Sequence, residues 1–442
     1  MLDKLSTDAV DCLSFFMSCS KIPEKGGHSK IMKKYKTQSE ILLKPQKHLG
    51  VTGLILFISS MGTLIPLSID LYLPAMPTMK HYFETTSAMV NLTILAFYFF
   101  YGVGIIIFGP LSDKYGRKPI LTLCLSLYIT GSITSAVSGS IYQLISFRVV
   151  QSLGAGGVMA ISTALVKDCF SGKLKSKVLA LVQAMGVIAP MAAPIAGAAI
   201  LRVAEWRDTF WILALVGIII LIAAFMFQET LQKTERYNGS IKGSLVRLLI
   251  VGKNPGFSSF LFIVALLAAP YMAYVTMSSY IYQNQFSLNA QAYSYFFAIN
   301  SALAILGPFI YIRSIGKLST RVFSWWCFGI ALVSGLCVLL LGNRSPLIFL
   351  ISFLPFTLVE GANRPFSTNI LLDQQNEDIG SASSLINAIY TILGSVGMAL
   401  GSLAWSNMIQ GLGIIMISST LVSIVVWIVL LHSKVTVKGI KD

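Results

Sequence analysis

The sequence predicts an all-α integral membrane protein: twelve transmembrane helices in two pseudo-symmetric six-helix bundles, with both termini on the cytoplasmic side (N-in/C-in). Three observations predict it. Of 442 residues, 55% are hydrophobic and 12% are charged, about half the charge of a soluble domain, and the mean hydropathy is +0.75. Uncharged apolar runs of about 20 residues, the length that crosses a bilayer as a helix, recur from Leu54 to Leu431. The remaining charge, 33 Lys and Arg against 18 Asp and Glu, gathers in the segments between those runs.

The runs fall at 51–73, 87–109, 119–137, 140–164, 177–200, 209–228, 257–281, 292–312, 322–342, 346–371, 380–406 and 411–431. An N-terminus inside leaves only Lys80, Arg202, Arg207 and Arg344 outside and Arg148 and Arg364 within spans. Every other basic residue is then cytoplasmic, which fixes the orientation by the positive-inside rule. The chain divides into a polar basic tail (1–48), an N-terminal six-helix bundle (49–230), a cytoplasmic linker (231–256), a C-terminal six-helix bundle (257–432) and a short cytoplasmic tail (433–442). The tail 1–48 holds nine lysines, and its apolar patch Val10–Cys19 is too short to span and lacks the flanks of a signal peptide. Met32, just before Lys33 and Lys34, is an alternative translation start. The linker carries five basic residues, with a surface helix expected around 245–251. Two six-span halves on either side of a linker are the layout of a carrier that rocks about a central site. Gly109-Pro110 at the end of span two recurs as Gly307-Pro308 at the end of span eight, a sign of duplication in which the second copy lacks the acid Asp113.

Charge located this way excludes nucleic-acid binding as its purpose. The cysteines (Cys12, Cys19, Cys124, Cys169, Cys327, Cys337) form no C-x-x-C pair and read as small buried hydrophobes. His28, His48, His81 and His432 lie at termini or loops and make no metal-ligand set. Neither a metal nor another cofactor is expected, and the chain is predicted not to be an enzyme.

An ionised side chain at the bilayer centre costs roughly 2.5–3.5 kcal/mol on insertion scales, so each charge in a span is a functional candidate. These are Asp70, Arg148, Glu360 and Arg364, with Asp373 near a span end. Asp70 stands between Pro66 and Pro74, which free backbone carbonyls tolerable only against protein or water. A carboxyl withdrawn from water binds its proton more tightly, which suits it to load and release one. A polar residue at a helix end, or half of a static ion pair, accounts for it as well. Arg148 cannot lose its charge and must face a cavity or a carboxylate; a guanidinium beside Asp70 would favour proton release. The small residues after it allow close helix packing. The segment Gly109–Lys118 reads as a tight turn and conformational latch; it lacks the strand and Lys-Ser/Thr of a phosphate loop. Glu360 and Arg364 lie i,i+4 on one helix face. They pair with each other, or Glu360 meets a cationic substrate or a second proton. Tyr271, Tyr274, Tyr280, Tyr282 and Phe97 are candidate cavity walls, although an interfacial belt explains Tyr280 and Tyr282 equally.

These motifs resemble known patterns. Residues 109–118 (GPLSDKYGRK) are similar to the G-x-L-x-D-R-x-G-R-K signature of the major facilitator superfamily, with Lys114 for the usual Arg. Arg148-x-x-Gln151 resembles the span-four motif of its proton-coupled members. PLSIDLYLPAMP at 66–77 and the segment Ala189–Gly197 (APMAAPIAG) resemble span-one and span-five signatures of the Bcr/CflA family of bicyclomycin-resistance-type drug/proton antiporters. Trp206-Arg207, the segment 210–214, Glu229-Thr230-Leu231 and the segment 295–298 agree as well, so the resemblance covers about 50–430.

The resemblance implies the major facilitator fold and a proton-coupled exporter of small amphipathic drug-like compounds. It would work by alternating access in the bacterial cytoplasmic membrane, as a monomer driven by the proton gradient, and confer multidrug resistance. By motif position Asp70 would be the coupling acid and Arg148 its relay partner. Gly109, Asp113, Gly116 and Arg117 would be the latch, and Gly186, Pro190, Pro194 and Gly197 the antiporter motif. The general form of that motif has Gly-Pro and Gly-Gly where this chain has Ala-Pro twice. Glu360 and Arg364 are charges the resemblance does not predict, and Gly62 stands where some antiporters carry a second acid. The alternative within the same fold is a carrier dedicated to a metabolite or siderophore.

Overall fold

The computed structural model describes residues 44, 46–232, 234, 236, 246, 250–314, 317–374 and 379–440. The tail 1–43, the expected surface helix at 245–251, apart from isolated positions, and Gly316 of the second latch copy lie outside the described residues. The chain forms helices α1 (Gly50–Asp70), α2 (Met76–Tyr82), α3 (Ser87–Tyr115), α4 (Arg117–Ala136), α5 (Ile141–Cys169), α6 (Gly172–Ile200) and α7 (Trp206–Met226) in its first half. The second half holds α8 (Pro255–Ala265), α9 (Ala268–Tyr280), α10 (Ala290–Ala304), α11 (Leu306–Ser314), α12 (Thr320–Leu341), α13 (Pro346–Asp373), α14 (Ile379–Gly401) and α15 (Met408–His432). Among the described residues, 11 helical stretches are long and apolar enough to cross a membrane. Helix α6 has 29 residues, and its second part, Ile188–Ile200, is apolar.

A helix satisfies its own backbone in lipid except at its ends, and here polar side chains sit at those ends. Thr86, Ser140, Ser319, Ser345, Asn289 and Asn407 each accept an N–H from the first turn of the helix they precede. Asn254 accepts two, and Glu205 and Asp208 form a reciprocal cap on α7. Large apolar side chains point outward instead of inward: Leu215, Ile219, Ile222 and Phe225 on α7, and Val422, Val425 and Val429 on α15. That distribution suits a lipid solvent.

Three predicted spans are broken. α1 stops at Asp70, passes through a 3-10 turn at Leu73–Ala75 and resumes as α2. The span at 257–281 divides into α8 and α9 and ends in a π-turn, Ile281–Gln285. The span at 292–312 divides into α10 and α11. The predicted turn at 109–118 is also shorter than expected. α3 runs through Pro110 to Tyr115, and Gly116 alone, at φ +105°, makes the reversal into α4.

Each half packs on itself, α3 on α5 and α4 on α5 and α7 in the first, α12 on α13 and α15 in the second. The halves meet where α3 lies against α14 and α6 against α10. At the end of the bundle opposite Gly116 they are also tied by hydrogen bonds. Ser279 donates its hydroxyl to the Leu73 carbonyl (2.7 Å), and Gln283 Nε2 donates to the Pro74 carbonyl (3.0 Å) and to Ser279 Oγ (2.8 Å).

Candidate functional site

Asp70 is the last residue of α1 and is buried, 5% exposed. Helix α6 reaches it through Gly197, where a Cβ would run into the Leu71 carbonyl oxygen; only a residue without a side chain lets the two backbones come so close. Pro194 is buried and Pro190 half-buried on the same helix, to which Gly186 also belongs. Among the described residues no hydrogen bond or ion pair reaches the Asp70 carboxyl. It does lie within electrostatic reach of Tyr271 on α9 and Tyr293 on α10, both from the other half.

The pairing of Asp70 with Arg148 expected from sequence is not formed. Arg148 on α5 is fully buried, its guanidinium packed over the rings of Phe97 (4.1 Å), Tyr72 (4.8 Å) and Phe210 (5.6 Å). Aromatic faces attract a cation without neutralising it, and that box holds the group away from the acid. One terminal nitrogen donates to Gln151 Oε1 at 2.7 Å, and Gln151 donates onward to Ser132 Oγ at 2.8 Å. Arg148 Nε and its other terminal nitrogen have no acceptor among the described residues. A second polar thread runs nearby: Ser68 bonds Tyr128 (2.8 Å), and Tyr72 bonds Thr93 (2.7 Å). Phe97, expected as a substrate wall, is instead a wall of the Arg148 box.

The latch residues do come together. Arg117, 7% exposed, reaches Asp113 (2.5 Å), Asp168 at the end of α5 (2.9 Å) and Ser112 Oγ (2.7 Å). The backbone N–H groups of Arg117 and Lys118, at the start of α4, donate to the Glu229 carboxylate, each at 3.0 Å. An acid at a helix N-terminus satisfies donors that the helix cannot. Lys118 donates its ammonium to the carbonyls of Phe225 and Phe227. Gly116 has no room for a Cβ, which would meet Glu229 Oε2 at 2.5 Å. Gly109 joins the cluster through its carbonyl, which accepts from Ser112 Oγ at 2.7 Å, and a Cβ there would stand 3.9 Å from that of Ala160. Asp168 and Glu229 belong to this cluster, and sequence reasoning did not single them out. Glu229 was visible only as part of a matching tripeptide, and nothing local to Asp168 marks it.

Glu360 on α13 is buried, 8% exposed, and its Oε2 has no partner among the described residues. The expected i,i+4 ion pair with Arg364 is absent: the Arg364 guanidinium lies over the ring of Tyr390, 4.2 Å from its centroid. Tyr271 is half-buried and within electrostatic reach of both Asp70 and Glu360, so the two acids share one neighbour. Tyr274, by contrast, is 1% exposed and stacked on Phe353 at 4.2 Å and on Phe297 at 5.9 Å. It is core of the second half, not a wall of the site. Tyr280 and Tyr282 are equally buried, which removes them from an interfacial belt.

A family profile described as the Major Facilitator Superfamily matches residues 53–398. The chain is 29% identical over 353 residues to "Uncharacterized MFS-type transporter YdgK" of Bacillus subtilis (78% of this chain, 87% of the relative). It is 26% identical over 363 residues to "Bicyclomycin resistance protein homolog" of Haemophilus influenzae (80% of this chain, 88% of the relative). In fold it is similar to a solved D-xylose-proton symporter, with a TM-score of 0.67 at 14% identity over 88% of this chain and 99% of that one. The chain belongs to the Major Facilitator Superfamily and is a multi-pass membrane transporter, not an enzyme.

Proposed function

We propose that this transporter exports small amphipathic drug-like compounds across the bacterial cytoplasmic membrane in exchange for protons. It does so by alternating access on twelve crossings with both termini cytoplasmic, as a monomer, with the proton gradient as its energy source. The observation that carries the reading is Asp70: a buried carboxyl without hydrogen bond or ion pair among the described residues, at a helix break, within electrostatic reach of tyrosines of the opposite half. A carboxyl so placed takes a proton from one side and yields it to the other as the seam changes face. Loss of the proton makes Asp70 an acceptor, and the two unpartnered nitrogens of Arg148 are the donors that would draw it. Each inward proton supplies about 2.3 kcal/mol per 100 mV of potential. The bonds from Ser279 and Gln283 to the 73–74 turn fit a state closed at that end, the outer end by the distribution of Lys and Arg. A relative named for bicyclomycin resistance supports the substrate class.

The test uses a host stripped of its own efflux pumps, expressing wild type or Asp70→Asn at matched membrane levels. Export is followed for bicyclomycin, chloramphenicol, a sulfonamide and a lipophilic cation. Export that an uncoupler abolishes and that Asp70→Asn reduces to the background of empty membranes is the expected result. Uncoupler-sensitive export that survives Asp70→Asn overturns the role of Asp70. Absence of any export redirects the reading to a carrier dedicated to one metabolite or siderophore.

A further inference from the structure

Glu360 and Arg364 keep a separation that their spacing does not require. An acid and a base four residues apart on a helix normally reach each other, and a buried charge left without its partner is costly. Here the guanidinium turns away to lie over Tyr390, and no hydrogen bond reaches it among the described residues, while Glu360 Oε2 stays buried and unpartnered. The two remain within each other's field. Their surroundings come from both halves. Tyr98 and Tyr101 on α3 are within electrostatic reach of Arg364, and Tyr98 of Glu360 as well. Tyr271 on α9 interacts with Glu360 and Asp70. Tyr98 crosses the seam to α14, where a Cβ on Gly394 would stand 3.0 Å from its ring. The charges therefore sit at the surface that has to open and close during transport.

A carboxylate with a free oxygen and a guanidinium held apart from it complement a molecule that itself carries both charges. We propose that Glu360 and Arg364 form a two-point subsite for amphoteric substrates. Glu360 receives a protonated amine, Arg364 receives a carboxylate or similar acceptor, and Tyr98, Tyr271 and Tyr390 pack the apolar body between them. Residues one turn apart on a helix face have Cβ atoms roughly 5–6 Å apart, which sets the scale of the charge separation they match. The aromatic rings add attraction for the amine without fixing its exact position. Without a ligand the two charges are incompletely satisfied, and the ligand completes both. This deepens the proposed export of amphipathic compounds and rests on that reading.

The experiment measures equilibrium binding to the purified full-length protein in detergent, so that it does not depend on proton coupling. Four probes share one scaffold: an arylpiperazine carboxylic acid as the zwitterion, its methyl ester as the cation, its N-acetyl form as the anion and the doubly capped compound as the neutral form. Wild type is expected to bind the zwitterion at least tenfold more tightly than the neutral form. Glu360→Gln should weaken the zwitterion and the cation tenfold or more while leaving the neutral form unchanged, and Glu360→Asp should recover part of the loss. Arg364→Gln should weaken the zwitterion and the anion in the same way. Unchanged binding of the neutral probe, with an unchanged melting temperature, serves as the control for folding.

Equal weakening of all four probes by each single variant, undone in the double variant, would identify a structural ion pair and overturn the subsite. Wild-type binding that does not distinguish the four overturns it as well. Failure of wild type to bind any of them overturns the subsite and the drug-carrier reading together. Charge-selective binding without uncoupler-sensitive export leaves the subsite standing and removes only the antiport.

Discussion

The two halves share a frame and differ in what they put inside it. In both, a glycine pair lets the second and fourth spans touch: Gly104 against Gly156 in the first half, Gly307 against Gly361 in the second. The first half fills its interior with polar threads, from Ser68 to Tyr128 and from Arg148 through Gln151 to Ser132, and closes one end with the Arg117 cluster. The second has polar links of its own, Thr357 to Asn300 and both Asn363 and Ser367 to Tyr390, but adds stacked rings, Tyr274 on Phe353 and Tyr282 on Phe296, and breaks two of its spans. Ring stacking itself holds no hydrogen bonds to exchange, and the Tyr274 and Tyr282 hydroxyls meet no partner among the described residues, whereas the polar threads have alternative partners. Under the proposed antiport, the difference is read as moving charges in the first half and a rigid wall in the second, with Glu360 and Arg364 as the exception on the seam.

The largest effect that tests this contrast is at the latch. Arg117 serves Asp113, Asp168 and Ser112 at once, and its removal takes a cation from Asp168, whose side chain is only 18% exposed. Hydrogen bonds to charged groups are worth about 1.5–3 kcal/mol each, discounted here because Asp113 is half exposed. Arg117→Ala should lower proton-driven export at least tenfold at matched membrane levels. Arg117→Lys should recover only part, because an ammonium cannot address three acceptors in one plane. Glu229→Gln should cost less than Arg117→Ala, since an amide oxygen can still accept from the α4 N-terminus. Arg313, which follows the repeated Gly307-Pro308 in the second half as Asp113 follows Gly109-Pro110 in the first, is exposed and has no partner among the described residues. Arg313→Ala should leave export within about twofold, as expected for a surface change. Equal losses from the two arginines would break the comparison.

The frame of the molecule was legible because lipid imposes a simple rule: apolar runs of fixed length, separated by charge. The break after Asp70 was hinted at by Pro66 and Pro74, but those in α8–α9 and α10–α11 were not legible, because a bend inside an apolar run changes little in composition. Single residues were legible where their chemistry is expensive. A charge in a span declares itself, so Asp70, Arg148, Glu360 and Arg364 all stood out. Their partners did not. That Arg148 turns to Gln151 and three rings instead of Asp70, and Arg364 to Tyr390 instead of Glu360, depends on side chains of other helices. Tyr274 and Tyr271 look alike three residues apart on α9, yet one is core and the other is half-buried within electrostatic reach of the acids. Nothing local to them decides which.

A smaller effect is expected at Gly197, where the first half brings α6 against the end of α1. A methyl group there meets the Leu71 carbonyl oxygen, which is backbone and cannot rotate away. Overpacking of this kind costs typically 1–3 kcal/mol, so Gly197→Ala should lower the melting temperature of the purified protein by several degrees. It should also weaken export by displacing Asp70, which lies next to Leu71 in the chain. If stability falls while export per folded molecule is unchanged, the close approach at Gly197 serves packing alone and does not position the acid.

The smallest effect separates a wall from a site. Tyr274 was a candidate for substrate contact, and the structure buries it between Phe353 and Phe297 with a hydroxyl that meets no partner. Removing an unsatisfied buried hydroxyl while keeping the ring costs little and can stabilise, because the group was desolvated without a hydrogen bond in return. Tyr274→Phe should therefore leave export within about twofold and the melting temperature equal or slightly higher. Tyr271→Phe, one turn earlier and in reach of Asp70 and Glu360, should disturb export of charged compounds more than of neutral ones. A loss in Tyr274→Phe as large as that in Tyr271→Phe would mean that the aromatic stack takes part in transport, and the second half could no longer be read as a rigid wall.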